Sequence, residues 1–355
     1  MTKPIRVGVV GANAQRAWAH DAHVPALARL PQFELAAVSA RTEALAEEAR
    51  AAFGAGRAFG DSLALARDPD IDLVAVTVKV PEHRAVVLAA LAAGKHVYCE
   101  WPLGRDLAEA EEMARAVTAR SHVAIGLQAL SAPAVRCAAE LVAAGAIGRP
   151  KMLRAFSPTA GWGAEAPAHY AYLQDRRNGA TLETIAGGHT LAAIAAIVGA
   201  YVEVDARTSI QRPSVRISGS DEEVQRTCAD HMLVLGAHVS GCVSTLEVAS
   251  GTAHAPFRLE VIGENGWLRI AGAHPGGYQA ANLTLETSVP DAAAADPVAP
   301  RLQGAPANVA EVYARLAADI ASGERTLADF AAAVRLTRLL DAIDAAALTG
   351  ARQRV

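Results

Sequence analysis

The run "GVVGANAQRAWAH" places Gly11, Asn13 and Arg16 directly behind a short apolar segment. A glycine turn in that place can lay backbone N–H groups along a pyrophosphate, with a following helix adding positive potential. Gly11 suits the tight-turn position, and Asn13 tolerates left-handed backbone angles better than most residues. Arg16 stands where a third glycine would complete the usual fingerprint. After the second apolar run, "VSART" offers Ser39 and Arg41, with no acid between Val38 and Thr42. A small polar residue with an arginine accommodates the 2′-phosphate of NADP, whereas an acid would bond the ribose of NAD. NADP is therefore the expected cofactor and NAD the alternative. Arg41 also reads as a solvated arginine that opens a helix.

Further along, "HVYCEWPLG" ends a strand-like run on Glu100 and follows it with Trp101 and Pro102. An indole donates one N–H and does not titrate near neutral pH, so Trp101 can stack or close a pocket but cannot carry a proton. Lys79 ends the third apolar run, at the sheet edge where ligands of doubly wound folds bind. It reads as a catalytic cation or as a lysine reaching from a strand end to water. Gln128, at the end of the fifth run, can hydrogen-bond a carboxamide or substrate, or serve as an ordinary strand-end residue. Tyr172 and Asp175, ahead of the Gly179 turn, are candidate pocket residues, and Trp162 in "AGWGAE" is a candidate sugar-stacking wall.

These residues need a scaffold, and strands alternate with helices up to about residue 123. The strands are "IRVGVV", "FELAAVSA", "IDLVAVTVKV", "KHVYCE" and "HVAIGLQ", each followed by a helical or turn segment. Near-continuous apolar strands of this kind predict a doubly wound parallel sheet, an α/β Rossmann fold. From about Lys151 the strands become longer and half-polar, and Asn265-Gly266 offers a hairpin turn. That texture predicts an α+β domain with an open, mostly antiparallel sheet. The expected division is 1–123 for a dinucleotide-binding domain and 124–355 for a substrate and oligomerisation domain. The C-terminal helix is free to pack back on the first domain, and residues 288–306 read as a surface loop.

The 355 residues are 52% hydrophobic and 20% charged, with a net charge of −4 and no basic stripe. This is a globular composition that argues against nucleic acid or an anionic membrane as partner. No apolar stretch is long enough to span a bilayer, and the start of the chain does not read as a secretory signal. The four scattered cysteines have no metal-ligand spacing, so reduced thiols in the cytoplasm and no metal are expected.

Three stretches in order carry a family resemblance: "PEHRAVVLAALAAGKHVYCEWPLG", "ELVAAGAIGRPKMLRA" and "NGATLETIAGGHT". They resemble the glucose–fructose oxidoreductase, inositol dehydrogenase and rhizopine (Gfo/Idh/MocA) family over nearly the whole chain. The resemblance implies oxidation or reduction of sugars, cyclic polyols or related molecules with NAD(P). It also implies that Glu100, Trp101 and Pro102 stand for the family's Glu-Lys-Pro at the cofactor. His83 is retained near the cofactor, and His189 takes the place of the proton-transferring histidine. Trp101 replaces the lysine, and Ile185 stands where an aspartate four residues before the histidine would be. Glu-Trp is similar to the branch containing the fungal galactose-pathway repressor, which binds NAD(P) as a regulator. Two readings follow: an NAD(P)-dependent oxidoreductase with His189 as proton carrier, or a catalytically silent NAD(P)-binding sensor. A homo-oligomer through the open sheet face is expected in either case.

Overall fold

Short, largely buried apolar runs make all but one of the strands of the first unit in this computed structural model, which describes residues 3–252 and 254–355. The strands are β1 (Ile5–Val10), β2 (Phe33–Ser39), β3 (Arg57–Phe59), β4 (Leu73–Val76), β5 (His96–Glu100) and β6 (Val123–Gly126). Val7, Val9 and Val10 on β1 and every residue of β4 are removed from solvent, as the centre of a sheet covered on both faces requires. The six strands are parallel in the order β3-β2-β1-β4-β5-β6. The order reverses between β1 and β4, so the segments leaving those two strands flank the switch point at which such sheets bind ligands.

Helices α1 (Val24–Leu27), α2 (Glu43–Phe53), α3 (Ser62–Arg67), α4 (Val80–Ala92) and α5 (Leu107–Arg115) connect these strands. Thr42, Asp61 and Asp106 cap α2, α3 and α5 by accepting from Leu45, Leu63 and Glu109 N–H groups. The strand β3 escapes the sequence reading because it is three residues long and carries no apolar run. The third run ends as a strand at Val76, so Lys79 becomes the N-terminal cap residue of α4.

The first unit takes in residues up to 128 together with 297–334. It therefore includes all of β6 and helix α8 (Ala305–Ser322), whose buried face carries Val309, Val312, Tyr313 and Leu316. Helix α9 (Phe330–Thr349) continues into the second unit, which comprises 129–296 and 335–355.

The second unit adds α6 (Pro133–Ala143), α7 (Gly188–Val198) and strands β7 (Pro150–Pro158), β8 (Glu165–Ala166), β9 (Tyr201–Ser209) and β10 (Ser214–Ile217). The remaining strands are β11 (Glu223–Gln225), β12 (His231–His238), β13 (Val243–Ala249), β14 (Phe257–Gly263), β15 (Trp267–Gly272), β16 (Thr284–Thr287) and β17 (Gln353–Arg354). Eight of them form one sheet, β16-β15-β14-β7-β13-β12-β9-β17, antiparallel except for the β7–β13 pair. Strands β11, β10 and β8 form a smaller sheet.

Buried and exposed side chains alternate along β12 and β13, so one face of the large sheet is core and the other is open. Register aligns Trp267, Ile262, Met152 and Val243 in one row across four strands, and all four are exposed. The hairpin joining β14 and β15 turns one residue earlier than Asn265-Gly266 suggests. Ile262 pairs with Trp267, and the Gly263 N–H donates to the Gly266 carbonyl at 2.8 Å, leaving Glu264 and Asn265 as the loop. The Glu264 and Asn265 N–H groups are drawn to the carbonyls of Arg149 and Ile147, which fixes that register. Among the described residues no helix is long and apolar enough to cross a membrane.

Candidate functional site

Gly11 leaves β1 with φ +94, and a Cβ there would lie 2.9 Å from Val78 Cγ1 and 3.0 Å from the Val78 N. Only glycine meets both demands. The Gly11 and Ala12 N–H groups donate to the Ser39 carbonyl at 3.1 and 2.8 Å, tying the turn to the end of β2. Asn13 acts through its side chain: Oδ1 accepts from the N–H groups of Gln15 and Arg16 at 3.0 and 3.1 Å. The Arg16 side chain is exposed, and Ala17 carries a left-handed φ of 79°. The next helix opens with a five-residue π turn, Ala19–His23, a form frequently found at functional sites.

At the end of β2, Ser39 is fully buried and its hydroxyl meets that of Ser62 at 3.1 Å. That hydroxyl is turned into the fold. Arg41 is exposed, and the nearby Glu43 carboxylate accepts the Gly60 N–H at 2.7 Å. Lys79 is exposed at the head of α4. His83 is buried, with Nδ1 at 3.0 and 3.2 Å from the Pro102 and Leu103 carbonyls and Nε2 at 3.0 Å from the Val78 carbonyl. Burial pushes its pKa down. A neutral ring has a single N–H, so it donates either to the Val78 carbonyl or to those of Pro102 and Leu103, and what surrounds both nitrogens is backbone rather than space for a ligand.

Beyond β5, Trp101 is 5% exposed and its peptide bond to Pro102 is cis. Glu100 accepts from His23 Nε2 at 2.9 Å, and His23 Nδ1 meets the Tyr313 hydroxyl at 2.8 Å. A Cβ on Gly126 would come within 2.7 Å of the Glu100 carboxylate, so a glycine on β6 makes room for it. Gln128 is 1% exposed, and its Oε1 is buried with no hydrogen bond among the described residues. A buried acceptor left open is costly, which makes this oxygen a ready partner for a donor.

In the second unit a π turn, Glu183–Gly187, leads into α7, and His189 lies in the first turn of that helix. The ring is 4% exposed, and burial pushes its pKa down to about 3. Among the described residues nothing hydrogen-bonds it. Ile185, four residues earlier, offers no charge to stabilise an imidazolium. Trp162 holds a left-handed φ of 54° and donates its indole N–H to the Leu173 carbonyl at 3.1 Å. Tyr172 is half-buried on a 3-10 turn, Ala168–Gln174. Asp175 caps the next turn and pairs with Arg177 at 2.6 Å, which holds its carboxyl below the usual range.

Arg226, absent from the sequence reading, organises this region. Its buried guanidinium bonds Asp230 at 2.6 Å, Gln174 Oε1 at 2.9 Å and the Gly163 carbonyl at 2.7 Å. It thereby ties the Trp162 loop to the segment that carries Tyr172 and Asp175. In "EEVQRTCADH" only the Asp230 partner, four residues on, lies nearby; Gln174 and Gly163 are 52 and 63 positions away, so the sequence does not show the link between the two segments.

A glycine turn at a parallel-sheet switch point, with an open buried acceptor just past the end of β6, defines a dinucleotide-binding α/β unit. Here it is joined to a mixed-sheet domain. The chain belongs to the Gfo/Idh/MocA oxidoreductase family: residues 5–126 match its NAD-binding Rossmann fold, and residues 133–272 match the Gal80p C-terminal domain. Dehydrogenase aclE of Aspergillus oryzae is 35% identical over 228 residues, covering 62% of each chain, so the match spans less than two thirds of that relative. The galactose/lactose metabolism regulatory protein GAL80 of Kluyveromyces lactis is 30% identical over 308 residues, covering 80% of this chain and 67% of its own. Levoglucosan dehydrogenase, solved with NADH and levoglucosan, shares the fold at a TM-score of 0.83 and 20% identity, covering 99% of both chains.

Proposed function

We propose that this chain is an NAD(P)-dependent oxidoreductase acting on a sugar, polyol or related small molecule. The observation that carries the reading is His189, a buried imidazole whose surroundings keep it neutral and whose ring is open to a new hydrogen bond. Neutral imidazole can take the proton of a substrate hydroxyl as the alcohol is oxidised, and can return it in reverse. With no carboxylate behind it, the imidazolium is short-lived, so the proton must pass on quickly. Bound NAD(P) would accept or supply the hydride.

The residues present fit such a cofactor. The tight turn that Gly11 permits against Val78 at the switch point, with Asn13 and Arg16, supports a pyrophosphate site. Gln128 Oε1 supports a site for a carboxamide N–H or a substrate hydroxyl. NADP is the preferred form and rests on Arg41, because the Ser39 hydroxyl is already engaged with Ser62. NAD is the alternative. In this proposal Glu100 and Trp101 close the cofactor end, His83 lies against the Pro102 and Leu103 backbone that follows them, and Lys79, exposed at the head of α4, is a candidate catalytic cation. In the second unit, Trp162, Tyr172 and Asp175 are the candidate substrate contacts of this proposal. A cytoplasmic location and a homo-oligomer through the open row at Met152 and Trp267 belong to the same proposal.

A second reading is favoured by one specific feature. Trp101 stands where the family has lysine, and a Gal80p-like second domain accompanies it. A dinucleotide-binding sensor without turnover fits that combination. The two readings part on one experiment: titration with NADP(H) and NAD(H), followed by a turnover screen over sugars and polyols with wild type and His189→Ala. Turnover lost in His189→Ala supports the oxidoreductase. Tight binding with no turnover across the panel supports the sensor, and failure to bind either dinucleotide overturns both.

A further inference from the structure

Two buried histidines grip the segment that carries Trp101, one on each side. His83, on α4, lies with Nδ1 against the carbonyls of Pro102 and Leu103. His23 holds Glu100 from the π turn behind the Gly11 loop. His23 is wholly removed from solvent, and its partners lie 77 and 290 positions away, on β5 and α8. One tautomer satisfies all three groups. Nε2–H donates to the Glu100 carboxylate, which can only accept when ionised, and Nδ1 accepts from the Tyr313 hydroxyl. Burial and the neighbouring Glu100 charge raise the Tyr313 pKa, so the phenol keeps the proton it donates. Tyr98 and Tyr313 flank the imidazole, with ring centroids at 4.9 and 5.6 Å, and leave it little freedom to turn.

The His23 contacts go further than packing requires. A buried polar chain linking three distant elements could be replaced by apolar residues at little cost in stability. It ends, however, on a carboxylate whose side chain is 13% exposed, one residue from Trp101 and opposite the glycine on β6 that admits it. We propose that His23 is a positioning residue that acts through Glu100. It fixes the carboxylate's rotamer, and with it Trp101, and joins them to the helix behind the Gly11 turn. The inference rests on the dinucleotide-binding reading above.

The test is a double-mutant cycle on dinucleotide affinity, measured by calorimetry with NADPH and NADH on wild type, His23→Ala, Glu100→Gln and the double variant. Unfolding of each ligand-free protein is followed in parallel. Loss of a hydrogen bond to a charged group corresponds to about tenfold weaker binding for His23→Ala. Little further loss is expected in the double variant, and His23→Gln, which keeps a donor towards Glu100, should recover most of the affinity. Tyr313→Phe removes one hydroxyl and should weaken binding about threefold; it carries the test if His23→Ala does not fold. Unchanged affinity in His23→Ala or Tyr313→Phe, additive effects in the cycle, or no recovery by His23→Gln overturns the positioning role alone. A wild type that binds neither dinucleotide overturns the functional reading and this inference with it.

Discussion

Replacing His189 by Gln tests whether this ring is as withdrawn from water as its surroundings imply. Burial lowers its pKa from 6.5 to about 3, so between those values the unfolded chain binds a proton that the folded chain refuses. Stability from this site is fully present above the unfolded pKa and is lost as pH falls towards the folded one. At about pH 5 the unfolded state gains roughly 1.5 log units of protonation over the folded state, which amounts to about 2 kcal/mol. Chemical unfolding at about pH 8 and about pH 5 measures the loss. His189→Gln should lose about 2 kcal/mol less than wild type over that interval, with the other histidines cancelling in the comparison. Ring titration by NMR should show His189 neutral down to about pH 5, and any oxidation rate should lack an acid limb near pH 6.5. An equal loss in both proteins, or a His189 titration near 6.5, refutes the argument from burial.

Three further outcomes are expected. Arg41→Ala should weaken NADP binding by about tenfold and leave NAD binding nearly unchanged, read by calorimetry with both cofactors. Arg226→Met strips the buried Asp230 of its counter-charge and should cost about 3–5 kcal/mol in denaturant unfolding, whereas Arg226→Met with Asp230→Asn, which removes the stranded charge and keeps an acceptor for the Gln211 and Arg212 N–H groups, should recover part of it. Met152→Glu puts a charge in the centre of the exposed row on the large sheet; light scattering should show a smaller species than wild type, and an unchanged mass argues against assembly through that face.

The sheet of the first unit could be read from the sequence because its strands are buried on both faces and write themselves as apolar runs. The strand β3 could not, since three residues carry no period. The residue type of Ser39 suits a phosphate, but a sequence does not say which way a strand-end side chain turns, and here it turns inward to Ser62. His83 drew notice for its place in the family pattern, and only the surrounding carbonyls show that it serves the backbone. The His23, Glu100 and Tyr313 chain joins residues 77 and 290 positions apart, and no local pattern encodes such a contact. The π turns before α1 and α7 are equally silent, because an extra residue in a helical turn leaves the composition unchanged. The assignment of α8 to the first unit depends on which apolar face it covers, a tertiary fact.

The Asn13 side chain gives the Gly11 turn a thermodynamic character of its own. Its amide oxygen already gathers the Gln15 and Arg16 N–H groups as a phosphate oxygen would. A loop of bare glycines is ordered by its ligand and loses chain entropy in the process. This turn is ordered by its own asparagine beforehand, so a ligand meets a shaped surface with fewer unsatisfied donors. Binding there should draw less on new hydrogen bonds and carry a smaller ordering penalty, with a correspondingly modest enthalpy.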